Sequence, residues 1–293
     1  RRPEIAEDFN KEIYGRVPKN TPKVNWEVIS TVDTIFGNQK AIAKNLIGHV
    51  DNSAYPQIKV DIQLSLITPK EINTLVPLIM EFGFIFPAGF RPPTNNNPTP
   101  QKSWQEQVLE KGWGFAIIVP TSYQADNGAG LTQGIIGLCN KGQNRKPDDW
   151  GALRAWAWGA RRAIDYFETD KNVDAKKVAV IGHSRLGKAA IWAGALDQRF
   201  AAVISNCSGC GGAAISRNKE GETIGKLNER FPMWPCANFQ KYSNNEAALP
   251  FDQHMLLAMV APRPLYVASA SEDLWASPKN EYLSAVYASE AYK

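Results

Sequence analysis

Val178-Ala179-Val180-Ile181-Gly182-His183-Ser184-Arg185-Leu186-Gly187-Lys188-Ala189-Ala190 is the stretch that decides the fold. Its first four residues are apolar with no polar alternation, as in a strand covered on both faces at the centre of a parallel sheet. From Gly187 to Leu196 the chain is rich in small residues and reads as a helix. Between the two, Gly-x-Ser-x-x-Gly predicts a strained turn that lifts Ser184 clear of the sheet. Strand and helix meet there at a steep angle, so Gly182 is needed for close approach, and Ala189 and Ala190 let the helix pack tightly. The backbone N–H of Arg185, at the helix start, points where an oxyanion would form.

The flanking segments alternate in the same sense. Residues 58–67, with Val60, Ile62 and Leu64 on one face, read as a strand, and 77–86 and 115–120 as buried strands. Asp148 or Asp149 is expected to cap a helix running to about Asp170, with Trp150, Leu153, Ala157, Ala160, Ile164 and Phe167 on one face. Residues 202–205 and 264–270 read as strands, 278–292 as a helix, and 91–98 as a stiff polar loop. Strands alternating with helices predict a mostly parallel sheet between two helical layers, the three-layer sandwich of an α/β-hydrolase. No linker composition interrupts residues 1–293, which read as one catalytic domain.

Composition narrows the function. With 44% hydrophobic and 21% charged residues the chain is globular, and 33 basic against 29 acidic side chains leave only +4, with no run of five like charges. That argues against a nucleic-acid partner. The longest apolar stretch, 76–90, is broken by Glu81, Gly83 and Pro87, so no membrane span is expected. Cys139, Cys207, Cys210 and Cys236 permit two disulfides without requiring them. Cys207 and Cys210 form a single CxxC pair without histidines at matching spacing, so neither zinc nor redox chemistry is expected, nor any cofactor.

Acyl transfer by a serine needs a base, and the base needs an acid. In this fold they follow in the order Ser, acid, His, with the acid just after a late strand. The strand at 264–270 is followed by Ser271-Glu272-Asp273, which makes Asp273 the expected acid and Glu272 the alternative. His49, His183 and His254 all precede Asp273, and none is in the expected order. The last strand and histidine loop of the fold are therefore expected beyond Lys293, in a C-terminal part this sequence lacks.

The second Gly of the turn stands one residue later than in Gly-x-Ser-x-Gly, and a cation follows the Ser. Gly182-His183-Ser184-Arg185-Leu186-Gly187-Lys188 resembles the nucleophile motif of glucuronoyl esterases, carbohydrate esterase family 15. Further segments resemble the family in order, closest to its bacterial branch: Pro3-Glu4-Ile5, Tyr14-Gly15-Arg16-Val17-Pro18, Asp149-Trp150-Gly151, Phe251-Asp252-Gln253-His254 and Ala261-Pro262-Arg263-Pro264. The resemblance implies a secreted or periplasmic, monomeric serine esterase without metal. It would cleave the ester between (4-O-methyl)glucuronic acid of glucuronoxylan and a lignin alcohol. It implies Ser184 as nucleophile, Arg185 as an added oxyanion donor, and Lys188, Glu222 and Trp275 as the residues that bind the uronate. Some members carry a Glu at the end of the strand after the nucleophile helix. Here that stretch is Ser205-Asn206-Cys207-Ser208, which has no carboxylate and so favours Asp273. An acetyl-xylan esterase or peptidase of the same fold, or a carbohydrate-binding relative without catalysis, is the alternative reading.

Overall fold

The computed structural model describes residues 1–71, 74–85 and 102–293. Their strands form one eight-stranded sheet: β1 (Val24–Phe36), β2 (Gln39–Val50), β3 (Asp61–Pro69), β4 (Val76–Phe82), β5 (Gly114–Val119), β6 (Val173–His183), β7 (Phe200–Asn206) and β8 (Leu265–Ala268), in spatial order β1-β2-β3-β5-β4-β6-β7-β8. From β5 to β8 every pairing is parallel, and the pairings from β1 to β5 are antiparallel. Six strands therefore point one way, with β1 and β3 opposed. The helices are α1 (Arg2–Phe9), α2 (Trp104–Glu110), α3 (Gly134–Cys139), α4 (Ala152–Phe167), α5 (Arg185–Leu196), α6 (Ile224–Arg230), α7 (Gln253–Ala258) and α8 (Pro278–Ala288). The main core runs from Phe9 to Ala288 and gathers α4, α5 and α7 against the sheet, and a smaller cluster lies where α2 meets Phe115 and Ile67.

The strands expected at 115–120, 202–205 and 264–270 are found within two residues of their bounds, and the one at 58–67 begins three residues later. The strand expected at 77–86 ends at Phe82. Its last residue, Phe86, and the loop expected at 91–98 lie outside the described residues. The sequence reading leaves 24–50 unassigned, yet this is the longest hairpin of the sheet. Its signal is present in the sequence: a run rich in β-branched residues, 24–36, ending at the two-residue turn Gly37-Asn38. All four cysteines are free.

The expected cap of α4 is corrected. Neither Asp148 nor Asp149 caps the helix; Gly151 occupies the N-cap position, and no side chain caps there. The reason is that 148–150 runs alongside Arg16: Arg16 N–H donates to Asp148 O and Trp150 N–H to Arg16 O. The first N–H groups of the helix are satisfied instead by main-chain carbonyls, Ala152 N–H by Met233 O and Leu153 N–H by Trp234 O. A Cβ at Gly151 would lie 2.2 Å from the Trp234 oxygen, which is why glycine stands there. This contact fixes the backbone of Trp234, a residue of the cavity described below. The buried surface of α4 is also wider than one stripe, since every residue from Ala152 to Ala160 is buried.

At the end of the hairpin His49 bridges three strands, its Nδ1 2.8 Å from Asp61 Oδ1 and its Nε2 2.9 Å from Glu27 Oε2. The bonds to Glu27 and then Asp61 raise the imidazole pKa. A group whose pKa is raised by folding stabilises the fold fully below its unfolded pKa, and that stabilisation is lost as pH rises through the folded pKa. The side chain is 42% exposed, so solvent screening holds the effect below about 1 kcal/mol. Hydrogen exchange of β1 amides is expected to speed up as pH rises above about 6.5, after correction for intrinsic exchange, more in the parent than in His49→Asn. Equal pH dependence in both proteins would count against the imidazolium bridge.

Candidate active site

Ser184 lies at the junction of β6 and α5 with φ 55° and ψ −127°, a conformation a non-glycine residue adopts only when its surroundings impose it. Two main-chain bonds do so: Ser184 N–H donates to Asn206 O at 2.8 Å, and Lys188 N–H donates to Ser184 O at 3.1 Å. A Cβ at Gly182 would stand 2.2 Å from Leu186 O, so only glycine lets the strand pass under the helix. Ala189, Ala190 and Ala193 are fully buried on α5, as their small size requires.

Ser184, Arg185, Lys188, Glu222, Asp273 and Trp275, which the sequence singles out from three separate segments, all line one cavity of about 130 Å³. Cys207, Ser208, Gly209, Phe231, Trp234 and Ala276 complete its wall. Lys188, one helical turn past Ser184, is 2% exposed. Its ammonium donates to Ser208 O (2.7 Å), Cys210 O (2.6 Å) and Glu222 Oε2 (2.8 Å). An ammonium has three protons, so all of them have acceptors. Glu222 is drawn toward Trp275 by the main chain, its N–H donating to Trp275 O at 2.9 Å. The Trp275 ring is 41% exposed, with Arg230 and Lys226 cations 5.1 and 5.5 Å from its centroid. Phe231 and Trp234 stack at 3.8 Å and 6°.

Asp273 follows β8 and is half-buried, and its Oδ1 accepts from Ala276 N–H at 3.2 Å. Glu272 is exposed and is not part of the cavity wall. Cys207, in the stretch Ser205–Ser208 that has no carboxylate, has φ 46°. Its thiol pKa is raised, first by burial and also by the neighbouring carboxylates of Glu281 and Asp273, so it stays a neutral thiol beside the acid. None of the three histidines is in the cavity wall. His49 is held in the hairpin, His254 on α7 faces Tyr287 with its pKa lowered by burial, and the His183 side chain is exposed.

Three residues escaped the sequence reading. Asp126, in the loop after β5, places Oδ2 2.7 Å from Arg185 Nε and accepts at Oδ1 from Trp234 Nε1 at 2.6 Å. Trp234 is part of the cavity wall and is buried. Glu281 on α8, fully buried, accepts from Gly209 N–H at 2.9 Å and Ser208 Oγ–H at 3.2 Å, and also from Ser269 Oγ–H. It ties the loop after β7 to the end of β8.

A serine held in a strained strand-to-helix turn, over the carboxyl ends of a mostly parallel sheet and beside an acid after a late strand, defines an α/β-hydrolase. The family model described as "Glucuronyl esterase, fungi" matches residues 144–293. The carbohydrate esterase MZ0003 of an unknown prokaryote is 49% identical over 193 residues, 65% of this chain and 44% of its own length. The 4-O-methyl-glucuronoyl methylesterase 1 of Wolfiporia cocos is 41% identical over 140 residues, 45% of this chain and 34% of its own. These matches thus span less than half the length of the curated relatives. Among solved structures, a family 15 glucuronoyl esterase from Teredinibacter turnerae superposes with a TM-score of 0.89 at 38% identity, covering 99% of this chain and 72% of that one. A glucuronoyl esterase from Solibacter usitatus gives 0.86 at 41%, covering 100% and 79%. The chain belongs to the glucuronoyl esterases of carbohydrate esterase family 15.

Removing one partner of a buried ion pair strands the other, at a cost of about 3–5 kcal/mol. Lys188→Met is therefore expected to lower the unfolding free energy by about that amount in a denaturant titration. Lys188→Met/Glu222→Gln should lose less than the sum of the two single variants, and strict additivity would show that the pair is not coupled.

Proposed function

We propose that the chain carries the nucleophile, oxyanion donors, acid and sugar pocket of a serine esterase acting on esters of (4-O-methyl)glucuronic acid, of the kind that join glucuronoxylan to lignin alcohols. The observation that carries this is the convergence on one cavity of a strained serine, a cation beside it, a carboxylate after β8, the rings of Phe231, Trp234 and Trp275, and the Lys188–Glu222 pair. Family membership and the named activities of the relatives support it. A polymeric substrate of this kind is met outside the cytoplasm, so the enzyme acts secreted or in a periplasm, as a monomer.

Ser184 Oγ attacks the ester carbonyl. The negative charge that develops on the carbonyl oxygen meets the Arg185 main-chain N–H and guanidinium, donors already in place and hence not reorganised during reaction. An imidazole oriented by Asp273 takes the serine proton and passes it to the departing alcohol. Water then hydrolyses the acyl-enzyme by the same route in reverse. His49, His183 and His254 stand outside the cavity wall, so this reading draws its base from none of them.

The acyl portion lies in the cavity. Trp275 offers an aromatic face to the C–H surface of the ring, and Glu222 accepts from ring hydroxyls. Glu222 Oε2 is bound to Lys188, and Oε1 has no protein partner among the described residues. A bond from Lys188 to a sugar hydroxyl would share one of its three existing bonds, so it orients Glu222 as well as touching the sugar.

In the full-length enzyme Ser184→Ala is expected to lower kcat on methyl glucuronate by roughly 10³-fold or more. Asp273→Asn should also lower kcat strongly while thermal stability holds. A normal Asp273→Asn with an inactive Glu272→Gln would move the acid to Glu272.

Trp275→Ala is expected to raise KM for a glucuronate ester severalfold more than KM for phenyl acetate, which has no sugar to stack. Equal losses on the two substrates would remove Trp275 from sugar recognition and favour an esterase of another substrate class.

A further inference from the structure

Asp126 lies far from Ser184 in sequence and on no motif, yet its carboxylate has two partners that belong to two different parts of the cavity. One oxygen ion-pairs with Arg185 Nε at 2.7 Å, and the other accepts from Trp234 Nε1 at 2.6 Å. Trp234 is 5% exposed, stacked on Phe231, and has the Lys188 ammonium 5.8 Å from its ring centroid. The Asp126 side chain is 19% exposed and that of Arg185 36%.

A guanidinium at a helix N-terminus is opposed by the helix dipole, and a long flexible side chain at a cavity mouth has many rotamers. A carboxylate on its Nε side answers both problems. It supplies the counter-charge and holds the Nε end of the side chain by an ion pair, while Nη1 and Nη2 keep no protein acceptor among the described residues. The same carboxylate is itself fixed by an indole whose main chain is bound to the start of α4.

We propose that Asp126 is a positioning residue that holds the Arg185 guanidinium toward the developing oxyanion and couples it to Trp234, so that the oxyanion donor and the wall of the sugar pocket are set as one unit. This rests on Arg185 serving the oxyanion.

The test is a kinetic cycle in the full-length enzyme, with methyl glucuronate and phenyl acetate as substrates. Asp126→Asn keeps an acceptor for the indole and removes the charge facing Arg185. It is expected to lower kcat about tenfold on both esters, with KM changed less than about twofold, because oxyanion stabilisation is common to every ester. Asp126→Glu should recover part of the loss. Trp234→Phe, which removes the indole N–H along with part of the ring, should raise KM for the glucuronate ester and lower kcat on both esters, by less than Asp126→Asn does. In an Arg185→Ala background Asp126→Asn should cost nothing further in kcat. If Arg185→Ala alone leaves kcat intact, the oxyanion reading falls and this inference with it. If Arg185→Ala lowers kcat but Asp126→Asn has no effect, or has the same effect with and without Arg185, the oxyanion reading stands and the positioning role is overturned. Should Asp126→Asn lose its thermal transition, the same comparison is made with Asp126→Glu, in which the longer side chain must displace Arg185 and lower kcat only while Arg185 is present.

Discussion

The ammonium of Lys188 sits one turn past the nucleophile, out of water, and bonds in three directions. Taking an ammonium out of water costs several kcal/mol unless its protons find acceptors and its charge a partner. Here the acceptors are two carbonyls of the loop after β7 and the carboxylate of Glu222. Satisfying that one cation therefore folds the 208–210 turn against α5 and brings Glu222 into the cavity. Glu222 in turn is bonded through its main chain to Trp275, two residues past Asp273. The helix that begins after Ser184 thus sets the position of Glu222 in the cavity through a single buried charge.

Topology supplies the rest. Asp126 follows β5, Ser184 ends β6, Cys207 and Ser208 follow β7, and Asp273 follows β8. These four strands run parallel, so all four loops emerge at one edge, the carboxyl ends where open α/β sheets place their ligand sites. Glu281 stitches two of these loops together from behind, and Asp126 joins a third to the nucleophile helix.

Legibility in the sequence follows from how local each feature is. Ser184 was readable because strand, turn and helix are contiguous; the roles of Arg185 and Lys188 came through family resemblance, with spacing placing Lys188 one helical turn past Ser184. Asp273 was readable through the order of strands. Glu222 and Trp275 came only through family resemblance, since neither carries a local pattern that marks it. Asp126 and Trp234 were not readable at all: their bond joins residues 108 apart, and only the folded chain brings them together. The cap of α4 failed for the same kind of reason, because main-chain carbonyls 81 residues away satisfy the helix start where a local Asp was expected. The β1–β2 hairpin is the opposite case, with a local signal in its Gly37-Asn38 turn that the reading of buried strands passed over, since β1 keeps Val28, Ile29, Val32 and Ile35 exposed.

The central claim is that Ser184 becomes acylated by a uronate. Full-length enzyme turning over benzyl glucuronate, quenched in acid and digested, would show this by mass spectrometry of the peptide spanning Gly182–Lys188. The account predicts a glucuronoyl adduct on Ser184 that forms with enzyme and substrate together and is absent from Ser184→Ala. Turnover that releases glucuronate at the parent rate from Ser184→Ala, or an adduct mapped to another residue, would contradict it.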